Sequence, residues 1–128
     1  MEGLTRILFV EDDADIRTIA QLALEAVGGF TVAVCESGDE ALAVAPGFQP
    51  DLMLLDVMMP GMDGPATLFA LKQHPSLAAT PAIFMTARVQ RHEVEQYREL
   101  GAIDIIPKPF DPLLLPATIA GIWARTRP

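Results

Sequence analysis

The chain has 128 residues, 51% of them hydrophobic, enough for one well-buried core and too few for two ordinary domains. It carries 17 acidic residues against 9 Lys and Arg, and the net charge of −8 excludes the basic surface that nucleic acids and anionic membranes attract. The basic residues are scattered, so no local cluster escapes that repulsion.

Arg6–Val10 is the first predicted strand, an apolar run that empties into Glu11-Asp12-Asp13 and is too short before those acids to be a signal peptide. Ile16, Ile19, Ala20, Ala23 and Val27 follow at helical spacing and stop at Gly28-Gly29. The second strand, Phe30–Cys35, ends on the only cysteine, which has no partner for an intramolecular disulfide and reads as a reduced core position in the cytoplasm. Ser37-Gly38-Asp39-Glu40 fits a capping box, and Pro46-Gly47 is expected to break the helix it opens, keeping that helix short. Leu52–Asp56 is the third strand; Asp56 and Pro60 interrupt its apolar stretch, so nothing there spans a bilayer. The third helix starts near Asp63-Gly64-Pro65 and ends before Pro75. Ala82–Thr86 is the fourth strand. A helix from about Gln90 to Leu100 follows, with Val94, Tyr97 and Leu100 on one side and Gly101 as its stop. Ile103–Pro107 is the fifth strand, and the last helix runs toward Trp123 with Leu115, Ile119 and Ile122 inward.

This alternation of apolar runs and amphipathic stretches predicts an α/β fold, a parallel sheet with helices on both faces. One domain is expected over residues 1–125, with a short tail at 126–128.

Asp56 places one charge at the end of a buried strand, where a lone carboxylate is costly unless it caps a turn or serves chemistry. The acids after the first strand have their own structural reading, as the solvated start of a helix favoured by its dipole. If the sheet has the doubly wound order 2-1-3-4-5, strands one and three adjoin, and ligands of such sheets sit beyond the strand C-termini where the order reverses. Both acid groups lie at those ends. Converging carboxylates repel unless a cation or proton intervenes, and an all-oxygen set selects a hard cation such as Mg²⁺, which commonly brings phosphate oxygens with it. Thr86, at the end of strand four, could donate its hydroxyl to a phosphoryl oxygen, although a β-branched residue is ordinary in a sheet. Lys108 follows strand five and could pair with a carboxylate or phosphoryl oxygen, or be a solvated loop lysine. Acceptor, acids, hydroxyl and ammonium all falling at strand ends favours the chemical reading.

These segments, Ile7-Leu8-Phe9-Val10-Glu11-Asp12-Asp13, Leu54 through Gly64, Met85-Thr86-Ala87-Arg88 and Pro107-Lys108-Pro109-Phe110, resemble the receiver domains of two-component response regulators. The resemblance runs from about Arg6 to Arg125 and implies a flavodoxin-like fold, five strands in the order 2-1-3-4-5 with five helices. It implies that Asp56 is the phosphoacceptor, and that Mg²⁺, or Mn²⁺, is held by Asp12, Asp56 and the backbone carbonyl of Met58, with Glu11 acting through water. Thr86 and Lys108 would contact the phosphoryl oxygens, and the Lys108-Pro109 peptide is similar to one that is cis in the family. The implied partners are a sensor histidine kinase or histidine phosphotransfer protein and a downstream protein target, with no direct nucleic acid and no membrane. The chain would be a signalling domain that assists its own phosphorylation and dephosphorylation, not an enzyme. Thr86 and Ile105 are the implied switch positions, but many relatives carry Tyr or Phe where Ile105 stands. A stiff β-branched residue cannot supply an aromatic rotamer switch, so output is expected through the fourth helix and its loops.

Three other readings fit less well. A haloacid-dehalogenase-type enzyme resembles Asp-x-Asp at its nucleophile, and Met58 occupies that second position. A nucleotide or flavin binder wants a phosphate-cradling loop where Glu11-Asp12-Asp13 stands. A degenerate receiver would have lost part of the acidic or Thr-Lys set, all of which is present. The chain could act alone or be a receiver excised from a larger protein.

Overall fold

Strands that are apolar on both faces need cover on both sides, and every residue of β3 (Leu52–Asp56) and β4 (Ala82–Thr86), two of the three inner strands, is buried. The computed structural model describes residues 3–126. With β1 (Arg6–Val10), β2 (Thr31–Cys35) and β5 (Asp104–Pro107), these strands form a five-stranded parallel sheet in the order β2-β1-β3-β4-β5. The register aligns Val10 with Leu55, Asp56 with Met85, and Thr86 with Pro107, which brings the strand C-termini to one edge. Phe30 and Ile103 lie just outside β2 and β5.

Side-chain alternation along each strand divides the core in two. Leu8, Val10, Met53, Leu55 and Phe84 pack beneath α2 (Gly38–Phe48), α3 (Gly64–Lys72) and α4 (Arg91–Glu99). Ile7, Phe9, Leu54, Ile83 and Met85 pack beneath α1 (Ala14–Leu22) and α5 (Leu115–Thr126). Leu115, Ile119 and Ile122 point inward as their spacing predicts.

Several local expectations yield to tertiary contacts. α2 is not broken at Pro46-Gly47 but continues to Phe48. Proline costs its own N–H bond and crowds the carbonyl four residues back, and contacts from outside the helix offset that penalty here. The Arg6 guanidinium lies 4.1 Å from the Phe48 ring centroid, and its Nε donates to the Phe48 carbonyl at 2.9 Å, fastening that last turn. Gln49 then ends the helix in the left-handed region at φ 54°, donating its N–H to the Ala45 carbonyl.

The first helix runs on from α1 into a π-helical turn, Ala23–Val27, whose wider winding shifts the inward face. Ala20, Ala23 and Leu24 are buried there, whereas Ile19 and Val27 are exposed. In α4, Tyr97 is the only buried residue and Leu100 is exposed. A 3₁₀ turn at Pro75–Leu77 precedes β4 and buries Leu77. Of the expected tail, Thr126 still belongs to α5 and residues 127–128 lie outside the described ones. Among the described residues no helix is long and apolar enough to cross a membrane.

Candidate functional site

At the C-terminal edge of the sheet, Glu11 extends the pairing of β1 with β2 by donating its N–H to the Cys35 carbonyl at 3.0 Å. Arg17 of α1 donates to the carbonyls of Glu11 and Asp12 at 3.0 and 2.9 Å, fixing the turn that presents both acids. The third acid has the structural role: Asp13 Oδ1 caps α1 by accepting from the N–H groups of Asp15 and Ile16.

Asp56 ends β3 and is 3% exposed; Glu11 is 1% exposed. Between them lies the ammonium of Lys108, whose Nζ donates to Glu11 Oε1 at 2.8 Å and Asp56 Oδ1 at 3.1 Å. Lys108 is held by its own N–H, which donates to the Thr86 carbonyl at 2.9 Å, and it precedes a cis peptide to Pro109. Thr86 is buried, and its Oγ1 accepts from the Arg88 N–H at 3.0 Å, leaving the hydroxyl proton free to donate elsewhere.

Glu11, Asp12, Asp56, Met58, Thr86 and Lys108 all line one cavity of about 310 Å³, together with Asp13, Ile16 and Ala87. Ile105 stands apart, partly buried against the core beneath α2, α3 and α4 and paired across the strands with Phe84.

Burial is the main cause that pushes the Asp56 carboxyl up to about 7, followed by the charge of Glu11, while Lys108 opposes both. For Lys108, burial works toward a lower value, but hydrogen bonds to Glu11 and Asp56 and their charges outweigh it, so the ammonium is favoured. One ammonium does not neutralise three carboxylates. Oxygens of Glu11, Asp12 and Asp56 lie within 4.8 Å of one another, a span suited to one hard cation, so the donor set fits Mg²⁺ chemically and sterically.

Sequence reasoning missed two supports of this site. Arg17 acts on backbone carbonyls and leaves no motif. Gly64 lets α3 approach the end of β3, since a Cβ there would stand 2.6 Å from the Asp56 carbonyl oxygen and 2.8 Å from the Val57 Cα. A glycine beside a helix-starting proline was the signal available.

A family profile described as the response regulator receiver domain matches residues 7–120. The chain is 38% identical over 125 residues to the transcriptional regulatory protein CseB of Streptomyces coelicolor, covering 98% of this chain and 52% of that protein. It is 44% identical over 103 residues to the DNA-binding transcriptional regulator NtrC of Salmonella typhimurium, covering 80% of this chain and 21% of that one. The chain thus spans about half or less of the length of these curated relatives. Among solved structures, the chemotaxis protein CheY4 of Vibrio cholerae superposes with a TM-score of 0.86 at 28% identity, over 93% of this chain and 98% of that one. The signal receiver domain of a signal transduction histidine kinase from Syntrophus aciditrophicus does so with a TM-score of 0.80 at 31% identity, over 96% and 92%.

Proposed function

The chain belongs to the response regulator receiver domain family, and from that premise we propose that Asp56 is its phosphoacceptor, with Glu11, Asp12, Thr86 and Lys108 as the supporting set. The general function of this family is that of a phosphoacceptor signalling switch, and its members bind Mg²⁺ at an acidic pocket. The observation that carries the assignment is Lys108 Nζ bridging two buried carboxylates, one of which ends a central strand.

An oxygen of ionised Asp56 attacks phosphorus as the donor's bond to phosphorus breaks, and the donor, a phosphohistidine or small acyl phosphate, leaves with that bond's electron pair. Lys108 donates to a phosphoryl oxygen, moving its charge from carboxylate to phosphoryl group without leaving the cavity. Thr86 donates its hydroxyl to another. Asp12, Asp56 and the Met58 carbonyl would hold Mg²⁺ or Mn²⁺, with Glu11 acting through water. When bound, the cation would supply charge that keeps the carboxylates ionised and offsets charge on the transferring group. Water later reverses the modification.

The partners we assign are a histidine kinase or phosphotransfer protein as donor and a protein target for output, acting in the cytoplasm. An apolar cavity of about 400 Å³, lined by Ile16, Ile19 and Phe110 among others, adjoins the acidic one through Ile16, Ala87 and Lys108, and supports docking of a protein donor.

Incubation with Mg²⁺ and acetyl phosphate, followed by intact mass and fragmentation, tests the assignment. One phosphoryl group is expected on Asp56, and Asp56→Asn should lose the mass shift while keeping the fold. Full labelling of the variant at another acid overturns the assignment.

A further inference from the structure

Glu11 and Asp56 stand two residues beyond Phe9 and Leu54, whose side chains belong to the core beneath α1 and α5. Thr86 stands two residues beyond Phe84, which belongs to the opposite core. By strand alternation, Thr86 therefore links the acidic cavity to the layer that holds α4.

Phe84 is fully buried and meets Tyr97 of α4 edge to face, with ring centroids 5.6 Å apart and planes at 86°. The whole of α4, Arg-His-Glu-Val-Glu-Gln-Tyr-Arg-Glu, is mostly charged or polar, and Tyr97 is its only buried side chain. Tyr97 is thus the one buried apolar contact of this helix with the sheet, while Arg98 donates to the Ile103 carbonyl and Asp104 Oδ1 at 3.0 Å each. A second tie runs to its N-terminus. The Arg88 N–H donates to Thr86 Oγ1 at 3.0 Å, the Arg88 guanidinium reaches Glu93 at 3.9 Å, and Glu93 Oε1 accepts from the Gln90 N–H. Ile105, beside Phe84 in β5, has no ring with which to report on Thr86.

We infer that Tyr97, seated edge-on against Phe84, is the positioning residue that couples Thr86 to α4 in this chain, in the part that Ile105 cannot play. The inference rests on the reading of Asp56 as phosphoacceptor. A hydroxyl drawn toward the phosphoryl group leaves the Arg88 N–H and frees the turn before α4. The helix then resettles about its one buried ring, so the Phe84–Tyr97 contact changes with phosphorylation.

The chain contains one tyrosine, so labelling with 3-fluorotyrosine places a single fluorine reporter at Tyr97. The whole chain in Mg²⁺ is compared with and without beryllium fluoride as the phosphoryl mimic, whose bound form has its own fluorine resonance. The tyrosine resonance should move when the mimic binds. Thr86→Ala lacks a donor to the mimic and is expected to bind it more weakly, so it is compared at a concentration where its own bound-fluoride resonance has saturated, and there it should lose that movement. A bound mimic with an unmoved tyrosine resonance, or equal movement in Thr86→Ala, overturns the relay and leaves the Asp56 reading intact. Failure of the mimic to bind the wild type removes the Asp56 reading and the relay with it. In unlabelled protein, Tyr97→Phe should keep the mimic-dependent change in α4 amide exchange, and Tyr97→Leu should lose it while accepting phosphate from acetyl phosphate as the wild type does. A full α4 response in Tyr97→Leu overturns the relay independently.

Discussion

Asp56 binds its proton more tightly in the folded chain than a free carboxyl does, because burial first and Glu11 second raise its pKa from 3.8 to about 7 against the pull of Lys108. Its protonated form therefore contributes stability that is fully present below the unfolded value and is lost as pH rises through the folded one. Without metal, Asp56→Asn should be more stable than wild type at about pH 8, by on the order of 1–3 kcal/mol, and the difference should shrink toward about pH 4. Chemical denaturation at both pH values in chelator checks this, and a variant less stable at the higher pH would contradict it. Asp51 has the opposite sign. Burial acts to raise it, but hydrogen bonds from the Arg6 N–H and from the Thr5 N–H and hydroxyl prevail and hold it below the usual range. Its contribution is present above the ordinary carboxylate pKa and is lost as pH falls through the lowered one. Cys35 shows what burial does without chemistry: its thiol is pushed up to about 12, by burial and then by the charge of Glu40, and forms no useful thiolate at neutral pH.

Among the elements, α3 is the one whose placement bears most directly on Asp56. Its first residue, Gly64, donates its N–H to the Val57 carbonyl at 2.9 Å, and Asp63 caps the helix by accepting from the Ala66 N–H. Backbone, not a flexible side chain, occupies the space that a Cβ on Gly64 would need. Gly64→Ala should therefore cost about 1–3 kcal/mol by overpacking and slow labelling by acetyl phosphate, because the strand end carrying Asp56 must shift. Gly47 in α2 has nothing within 4 Å of its would-be Cβ, so Gly47→Ala should leave labelling unchanged and stabilise by up to about 1 kcal/mol. Thermal melts and labelling rates of the two variants check the contrast. Equal behaviour would mean that the close approach of α3 does not hold the site.

Over the whole molecule, the sheet order turns a distance of 97 residues along the chain into the 2.8 Å contact of Lys108 with Glu11. Because the cluster exists only in the folded chain, a cation bound there shifts the folding equilibrium by mass action. Mg²⁺ at about 100 times its Kd should add roughly 2.7 kcal/mol. Asp12→Ala should lose more of that increment than removal of any other acid outside the acceptor, since Asp12 is the exposed member of the trio and the assigned direct ligand. Melting curves with and without Mg²⁺ decide it, and an unchanged metal-dependent shift in Asp12→Ala would reassign the ligand.

The sequence by itself determined the number of strands, their limits to within a residue, and the fact that Asp56 and Thr86 close strands while Glu11 and Lys108 follow strand ends. Apolar runs and capping residues act through neighbours in the chain, so they can be read in one dimension. Strand order came from the family resemblance, because alternation counts strands without saying which ones adjoin. Only the tertiary structure decided that α2 passes Pro46, where Arg6 grips Phe48, and that the first helix winds into a π turn and leaves Ile19 and Val27 exposed. It also decided that Tyr97 is the one buried side chain of α4 and meets Phe84, and that one ammonium lies between Glu11 and Asp56. The Arg6–Phe48, Phe84–Tyr97 and Lys108 contacts join residues distant in sequence, and such contacts depend on how finished elements pack rather than on the periodicity of any one of them.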